Sequence, residues 1–315
     1  MKFKKILLIG FEKNNLEQKY WDRMNLITEG LVTLPKDSND IPKHLSTSDC
    51  LLVKLGATVD KKTMDNASKL KYIGMLGTGY GRIDTQYAAE KGITVTNVPG
   101  YSREAVAELV IGMILSCIRE LEKARKRSSK GDYSDSGYSA SEIKDKTFGI
   151  IGLGRNGSRV AEIALGFGAN VIYWSRNRKK EFEARGISYG DIDSVISKSD
   201  FLSLHLSLNK DTENFLNEKR IMQIKKGAIF VNTSPMELVD INALEKRLKE
   251  GNMTFILDHS DEMKEEDLKK LSEYDNCMIY PPIGYITREA AAAKQDIFIQ
   301  NMENFLKGSP TNKVS

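Results

Sequence analysis

Cysteine is scarce in this sequence, and the three that occur, Cys50, Cys117 and Cys277, are odd in number, far apart and in no C-x-x-C spacing. That excludes a disulfide framework and a cysteine-based zinc site, so no metal is expected and a reducing, cytoplasmic compartment is. Long hydrophobic runs are missing too: no apolar stretch approaches the roughly 20 residues needed to span a bilayer. The opening Met1-Lys-Phe-Lys-Lys, followed by Ile6 to Ile9, starts like a signal peptide. Glu12 and Lys13 end the run too early for one, and the segment reads as a buried first strand. Charge of one sign is not concentrated either: 47 Lys and Arg are scattered among 43 Asp and Glu for a net +4, without the basic stripe that nucleic-acid binding requires. Internal repeats and low-complexity tracts are absent.

What the chain has is length and rhythm. Its 315 residues, 40% of them hydrophobic, can bury two cores. Short apolar runs alternate with helical patterns throughout, the mark of parallel strands joined by crossover helices, so the class is α/β. A first sheet is expected from Lys5–Ile9, Cys50–Lys54, Tyr72–Leu76 and Ile93–Thr96. A second, larger one is expected from Phe148–Ile151, Asn170–Trp174, Phe201–Leu206, Ile229–Asn232, Phe255–Asp258 and Met278–Tyr280. Between them a helix N-capped by Ser102 carries Val106, Leu109, Val110, Met113, Ile114, Cys117 and Ile118 on one buried face and links the domains. A polar excursion follows from Arg125 to Ser141. The last helix, Arg288 to Lys307, carries Ile297, Met302 and Phe305 and needs a partner surface, most simply the first domain.

One motif carries chemistry. Gly152-Leu153-Gly154-Arg155-Asn156-Gly157 follows a strand at once and runs into a helix, the context that gives a G-x-G-x-x-G its meaning. Gly152 permits the tight turn, Gly154 lets a pyrophosphate approach the backbone, and Gly157 lets helix and strand pack closely, with Arg155 and Asn156 between them at the phosphate end of the helix. At the end of the next strand, where NAD-binding folds place an acid on the ribose 2′-hydroxyl, the sequence has Ser175. A serine does not repel a 2′-phosphate, and Arg176 and Arg178 can bind one, so NADP(H) is favoured over NAD(H).

Several further segments, in order, resemble the D-isomer-specific 2-hydroxyacid dehydrogenase family over essentially the whole chain. They are Gly77 to Tyr80 with Ile83 and Asp84, Val95 to Gly100, Glu104 to Glu108, Gly149 to Arg155, Leu204 to Leu206, Lys226 to Thr233, and Leu257 with Asp258. The resemblance implies two doubly wound Rossmann-like domains with a cleft between them, in which cofactor and substrate meet. Residues 1–100 plus 285–315 would form the substrate-binding domain and 101–284 the dinucleotide-binding domain. It further implies that N–H groups at Gly77, Thr78 and Gly79 receive a substrate carboxylate, that Asp258 holds the nicotinamide amide, and that Ser207 and Thr233 lie along the cofactor. The helix from Ser102 and the Arg125–Ser141 excursion resemble the family's dimer-forming region, so a homodimer is expected.

The resemblance breaks where the family keeps its chemistry. Its substrate-binding arginine falls in N-T-S-R-G, and this chain reads Asn232-Thr-Ser-Pro235-Met236. Its histidine falls in P-H-I-G, here Pro281-Pro282-Ile-Gly284. Its glutamate falls where Met263 stands, with Glu262 adjacent and usable only after a register shift. Hydride transfer to a carbonyl needs orientation, stabilisation of charge on oxygen and a proton, and neither proline supplies them. His259 is the first candidate replacement acid or base, and Lys54 and Tyr80 the next. Tyr280 and Tyr285 are candidates to fill the histidine's space, His205 reads as structural and His44 as part of a polar loop. The leading reading is an NADP(H)-dependent oxidoreductase acting on CH–OH groups, with a non-standard acid-base set and a carboxylate-bearing substrate unlike simple 2-hydroxy acids. The alternative is a catalytically silent NADP(H)-binding sensor or assembly protein.

Overall fold

Each apolar run of the first hundred residues is short, bounded by turn residues and long enough to cross one sheet. In a computed structural model, which describes the whole chain except the side chain of Glu262, those runs become β1 (Ile6–Ile9), β2 (Leu31–Leu34), β3 (Cys50–Lys54), β4 (Tyr72–Leu76) and β5 (Thr94–Thr96). The helices between them are α1 (Gln18–Leu26), α2 (Ile41–Leu45), α3 (Lys61–Asp65) and α4 (Thr85–Glu90). The strands form one parallel sheet in the order β2-β1-β3-β4-β5. Asp60 and Asp84 fix the starts of α3 and α4 by accepting the backbone N–H groups of Thr63 and Tyr87. Two expectations are corrected here. β2 is an additional strand, invisible in the sequence because this edge strand is only partly buried and so has little apolar pattern. His44 lies in α2, whose first turn contains Pro42, and not in a loop.

The chain divides into two compact units, Met1–Tyr101 with Thr287–Ser315, and Ser102–Ile286. The first is completed by the final helix, Arg288–Leu306, whose Phe298, Ile299 and Met302 are fully buried with Phe3, Leu52 and Tyr72. Packing is tight enough that a Cβ on Gly74 of β4 would lie 2.8 Å from Leu52 and 3.3 Å from Phe298. Polar ties set the helix in register. Arg23 makes a two-pronged ion pair with Glu303 and bonds Asp296, and the buried Asn301 donates to the Asn97 carbonyl.

The second unit holds α5 (Arg103–Ile118), α6 (Leu121–Ser128), β6 (Thr147–Ile151), α7 (Arg155–Gly166), β7 (Asn170–Trp174), α8 (Lys180–Glu183), β8 (Ser188–Tyr189), α9 (Ile192–Lys198) and β9 (Phe201–Leu204). It continues with α10 (Glu218–Met222), β10 (Ile229–Asn232), α11 (Ile241–Lys249), β11 (Thr254–Leu257), α12 (Glu265–Ser272) and β12 (Cys277–Ile279). Its seven parallel strands run β12-β11-β10-β9-β6-β7-β8. After β6 the chain builds outward through β7 and β8, then returns to the other side of β6 for β9, which puts a topological switch point between β6 and β9.

Several details differ from expectation. Ser102 precedes α5, but with φ −104° and ψ 15° its hydroxyl caps nothing. α5 belongs to the second unit, packed on α7. It is apolar over a broader arc than one stripe: Ala105, Ala107 and Ile111 are buried as well, while Leu109 and Cys117 are only partly so. The excursion begins as helix, since α6 runs to Ser128. β9 stops at Leu204, two residues short, and the two-residue edge strand β8 is too short to leave a pattern.

Phe298 sits at 0% exposure between sheet and helix. Replacing it with Ala is expected to destabilise the first unit by about 3–5 kcal/mol in urea unfolding, the usual cost of a large core cavity. A loss under about 1 kcal/mol would show that the helix is not part of this core.

Candidate active site at the strand ends

The glycine turn is built by close backbone approach. Gly152 adopts φ +98°, a region that side chains avoid, and a Cβ there would lie 2.6 Å from the carbonyl oxygen of His205. Its N–H donates to the Trp174 carbonyl at 2.8 Å, pinning the turn between β7 and β9. A Cβ on Gly157 would collide with the Gly152 carbonyl oxygen, so α7 starts as near to β6 as backbone allows. Gly154, by contrast, is exposed and would meet nothing within 4 Å. It is the N-cap of α7, no side chain caps the helix, and Arg155 and Asn156 occupy its open first turn. An uncapped helix N-terminus with open space before it presents N–H groups and the positive end of the helix dipole to an anion.

The other singled-out residues of this unit stand at the carboxyl ends of neighbouring strands. Ser175 follows β7, buried, its hydroxyl donating to the Asn177 carbonyl at 2.6 Å. Arg176 is 68% exposed and makes one long ion pair, 3.3 Å, with Asp211. Arg178 is held by both oxygens of Glu183, at 2.7 and 2.6 Å, and lies over the Tyr189 ring. Past β9, His205 bonds Ser203 Oγ at 2.8 Å, and burial pushes its pKa down to about 4, which keeps it neutral as a packing residue. Ser207, beyond it, is exposed.

After β10 the loop folds onto itself: Asn232 Oδ1 accepts the Ser234 N–H, and Ser234 Oγ donates to the Leu204 carbonyl. Pro235 then opens a single helical turn, Met236–Leu238. Thr233 Oγ1 is buried there and has no hydrogen-bond partner among the described residues. After β11, Asp258 is 4% exposed. Its Oδ2 accepts the Gly284 N–H at 2.9 Å, at a glycine where a Cβ would lie 2.5 Å from that oxygen. Its Oδ1 has no partner among the described residues. Burial raises the Asp258 pKa, partly offset by His259 and by the Gly284 N–H.

His259 is partly exposed beside Asp258, its Nδ1 3.8 Å from Asp261. Met263 packs against the core that includes Leu257. Pro282 is partly buried. The Tyr280 hydroxyl is turned to Glu122 of α6, at 3.1 Å, with its pKa pushed up to about 12 by burial and that carboxylate; Tyr285 is exposed. The alternative that used Glu262 lies outside the described side chains.

In the first unit Lys54 ends β3 and donates to Asn15 Oδ1 at 2.7 Å. The turn after the adjacent β4 is Gly77-Thr78-Gly79, followed by the exposed Tyr80. Val98 N–H bonds the Gly77 carbonyl, Asn97 Nδ2 the Thr78 carbonyl, and Thr78 Oγ1 donates to the Val98 carbonyl, so the turn is rigidly tied on its acceptor side. Sequence reasoning missed Glu183, Asp211, Asn15 and Lys294, which act through partners distant in sequence or across a turn. Only Glu183, five residues after Arg178, left a local trace.

Residues 111–284 match the family model described as "D-isomer specific 2-hydroxyacid dehydrogenase, NAD binding domain". The chain is 36% identical over 282 residues to a glyoxylate reductase of Thermococcus litoralis, covering 85% of this chain and 83% of that protein. Among solved structures it resembles an acyclic imino acid reductase (Bsp5) in complex with NADPH and D-Arg, at 29% identity and a TM-score of 0.84 over 99% of this chain and 100% of that one. It also resembles D-lactate dehydrogenase from Aquifex aeolicus complexed with NAD and lactic acid, at 26% identity and a TM-score of 0.82 over 96% of both chains. With two parallel α/β sheets, a glycine turn at the switch point of the second, and this likeness over most of its length, the chain belongs to the D-isomer-specific 2-hydroxyacid dehydrogenase family, whose members are nicotinamide-dependent oxidoreductases.

Proposed function

We propose that the chain is an NADP(H)-dependent oxidoreductase whose acid-base set differs from its family's and whose substrate is unlike simple 2-hydroxy acids. The observation that carries this is the combination of an intact phosphate turn with Pro235, Met263 and Pro282 in the three catalytic slots. The second unit fits a nicotinamide dinucleotide on its own atoms: the open, uncapped start of α7 suits the pyrophosphate, and the orphaned Thr233 Oγ1 and Asp258 Oδ1 are polar atoms awaiting partners. When bound, the reduced nicotinamide supplies hydride. The buried, unpartnered Asp258 Oδ1 supports its role as acceptor of the nicotinamide amide N–H, with Ser207 and Thr233 further along the same row of strand ends.

Preference for the 2′-phosphate rests on Ser175 and Arg176. Ser175 offers no carboxylate to repel it, and Arg176 gives up only an exposed ion pair of little value. Arg178 must leave Glu183 to take part. The first unit, with the N–H groups of Gly77, Thr78 and Gly79, is the substrate-binding side, and Lys54, Tyr80 and His259 are the groups available for charge or proton work.

The imino acid reductase suggests what such a site can accept. A protonated imine already carries the positive charge and the proton that a carbonyl has to be given, so the demands that Pro235 and Pro282 cannot meet do not arise.

Three tests follow from this reading. Cofactor fluorescence titration should give tighter NADPH than NADH binding, and Arg176→Ala should narrow the difference more than Arg178→Ala; equal affinities in the parent would end the NADP(H) assignment. Glyoxylate, pyruvate and hydroxypyruvate should be reduced only at trace rates, about two to four powers of ten below an active family member. Pro235→Arg, Met263→Glu and Pro282→His together should recover more than any one alone, and robust turnover by the parent would overturn the reading. The third concerns Asp258→Asn, which keeps an acceptor for Gly284 but carries no charge. Because the folded Asp258 pKa is raised, ionisation costs stability that appears as pH rises above about 4. Urea unfolding should therefore favour the variant increasingly, relative to the parent, between pH 4 and pH 7; a variant that falls behind over that range would contradict the burial argument.

A further inference from the structure

The proposed chemistry names Lys54 of the first unit only in general terms and leaves Lys294 without a role. Lys54 closes β3 at the carboxyl edge of the sheet, beside the point where strand order reverses between β1 and β3, the place where open α/β sheets receive ligands. Its Nζ lies 2.7 Å from Asn15 Oδ1 and 5.9 Å from the Phe11 ring, leaving donors free. Lys294, carried in by the final helix, is half-buried, with Nζ 5.4 Å over the Tyr101 ring. Among the described residues neither ammonium has a carboxylate partner; Lys294 stands one helical turn before Phe298, whose ring stacks at 6.1 Å on the Phe11 ring that Lys54 approaches, so the two ammoniums flank one aromatic pair. Two cations partly removed from water and not neutralised are unfavourable by themselves, and a bound anion relieves both.

We infer that Lys54 and Lys294 together hold a second anionic group of the substrate, a small acid whose first carboxylate rests on the N–H groups of Gly77, Thr78 and Gly79. This rests on the reading of the first unit as the substrate side. β3 and β4 pair with Lys54 opposite Leu76, so the Gly77 turn starts next to Lys54. The turn's carbonyls and the Thr78 hydroxyl are bonded to Val98 and Asn97, while its three N–H groups have no acceptor among the described residues. One carboxylate satisfied by those amides leaves the lysine pair with too little negative charge; two acidic groups on one small molecule balance it. Independently, burial and the neighbouring Lys54 hold the Lys294 ammonium below the ordinary lysine pKa, as expected of a cation without a counter-ion.

Isothermal titration of the full-length protein, saturated with NADP⁺ to avoid turnover, tests this with 2-oxoglutarate as the dianion and 2-oxobutyrate as the monoanion. The dianion should bind at least about tenfold more tightly, the size of one charge-assisted contact. Lys294→Met should erase that advantage while leaving 2-oxobutyrate within about twofold, and Lys294→Arg should keep it. Equal affinities in the parent, or an advantage that survives Lys294→Met, would overturn the second-anion site and leave the function reading standing. Binding of NADP⁺ with no binding of either acid would overturn both this site and the first unit's role as the substrate side.

Discussion

The second unit depends on one steric constraint: three backbone segments meet at the glycine turn with no room for a side chain. Gly152 lies against the His205 carbonyl and Gly157 against the carbonyl of Gly152 itself. These approaches lock β6 to β9 and seat the start of α7 on the sheet, and the chain's reversal between β6 and β9 places the junction at the one edge where a crevice opens. The strand ends from β7 to β11 then fall into a row beside the uncapped helix. Ser175, Ser207, Thr233 and Asp258 occupy positions along it without being neighbours in sequence. A side chain at Gly157 would push α7 outward and misplace the whole row, although it would touch no ligand.

This constraint also explains which parts were legible in the sequence. The glycines announce it because only glycine satisfies it, and the central strands β3, β4 and β10 were readable to the residue because burial on both faces leaves continuous apolar runs. The edge strands β2 and β8 left no such mark, since an edge strand is half solvated and short. Ser102 had the composition of a helix cap without the backbone geometry to act as one. Side-chain pairing was the least legible. Glu183, five residues after Arg178, left a local trace but not its two-oxygen grip, and nothing near Lys54 announces Lys294, which arrives from the far end of the chain.

The two sheets use the same geometric rule for different electrostatics. In the second, the positive charge at the switch point is that of a helix terminus, spread over backbone N–H groups, which suits a diffuse pyrophosphate. In the first, it is concentrated on two lysine ammoniums beside a turn whose carbonyls are tied away. Backbone dipoles cannot be titrated or easily lost by substitution, whereas lysines can. On the proposed reading, the phosphate turn is the conservative half of the machinery, and the lysine pair is where specificity would be most easily altered.

The return of the final helix to the first sheet has a consequence for synthesis. Phe298, Ile299 and Met302 complete a core whose strands leave the ribosome long before them, and the whole second unit is made in between. Until the helix emerges, the face of the first sheet carrying Leu52, Tyr72 and Leu76 is covered only from the side of α1, by Tyr20 and Met24, and the apolar surface left open is of the kind that recruits chaperones or neighbouring chains. The second unit is contiguous and can close on its own contacts first. The second unit can therefore be complete before the first, whose last core helix has to close across most of the length of the chain.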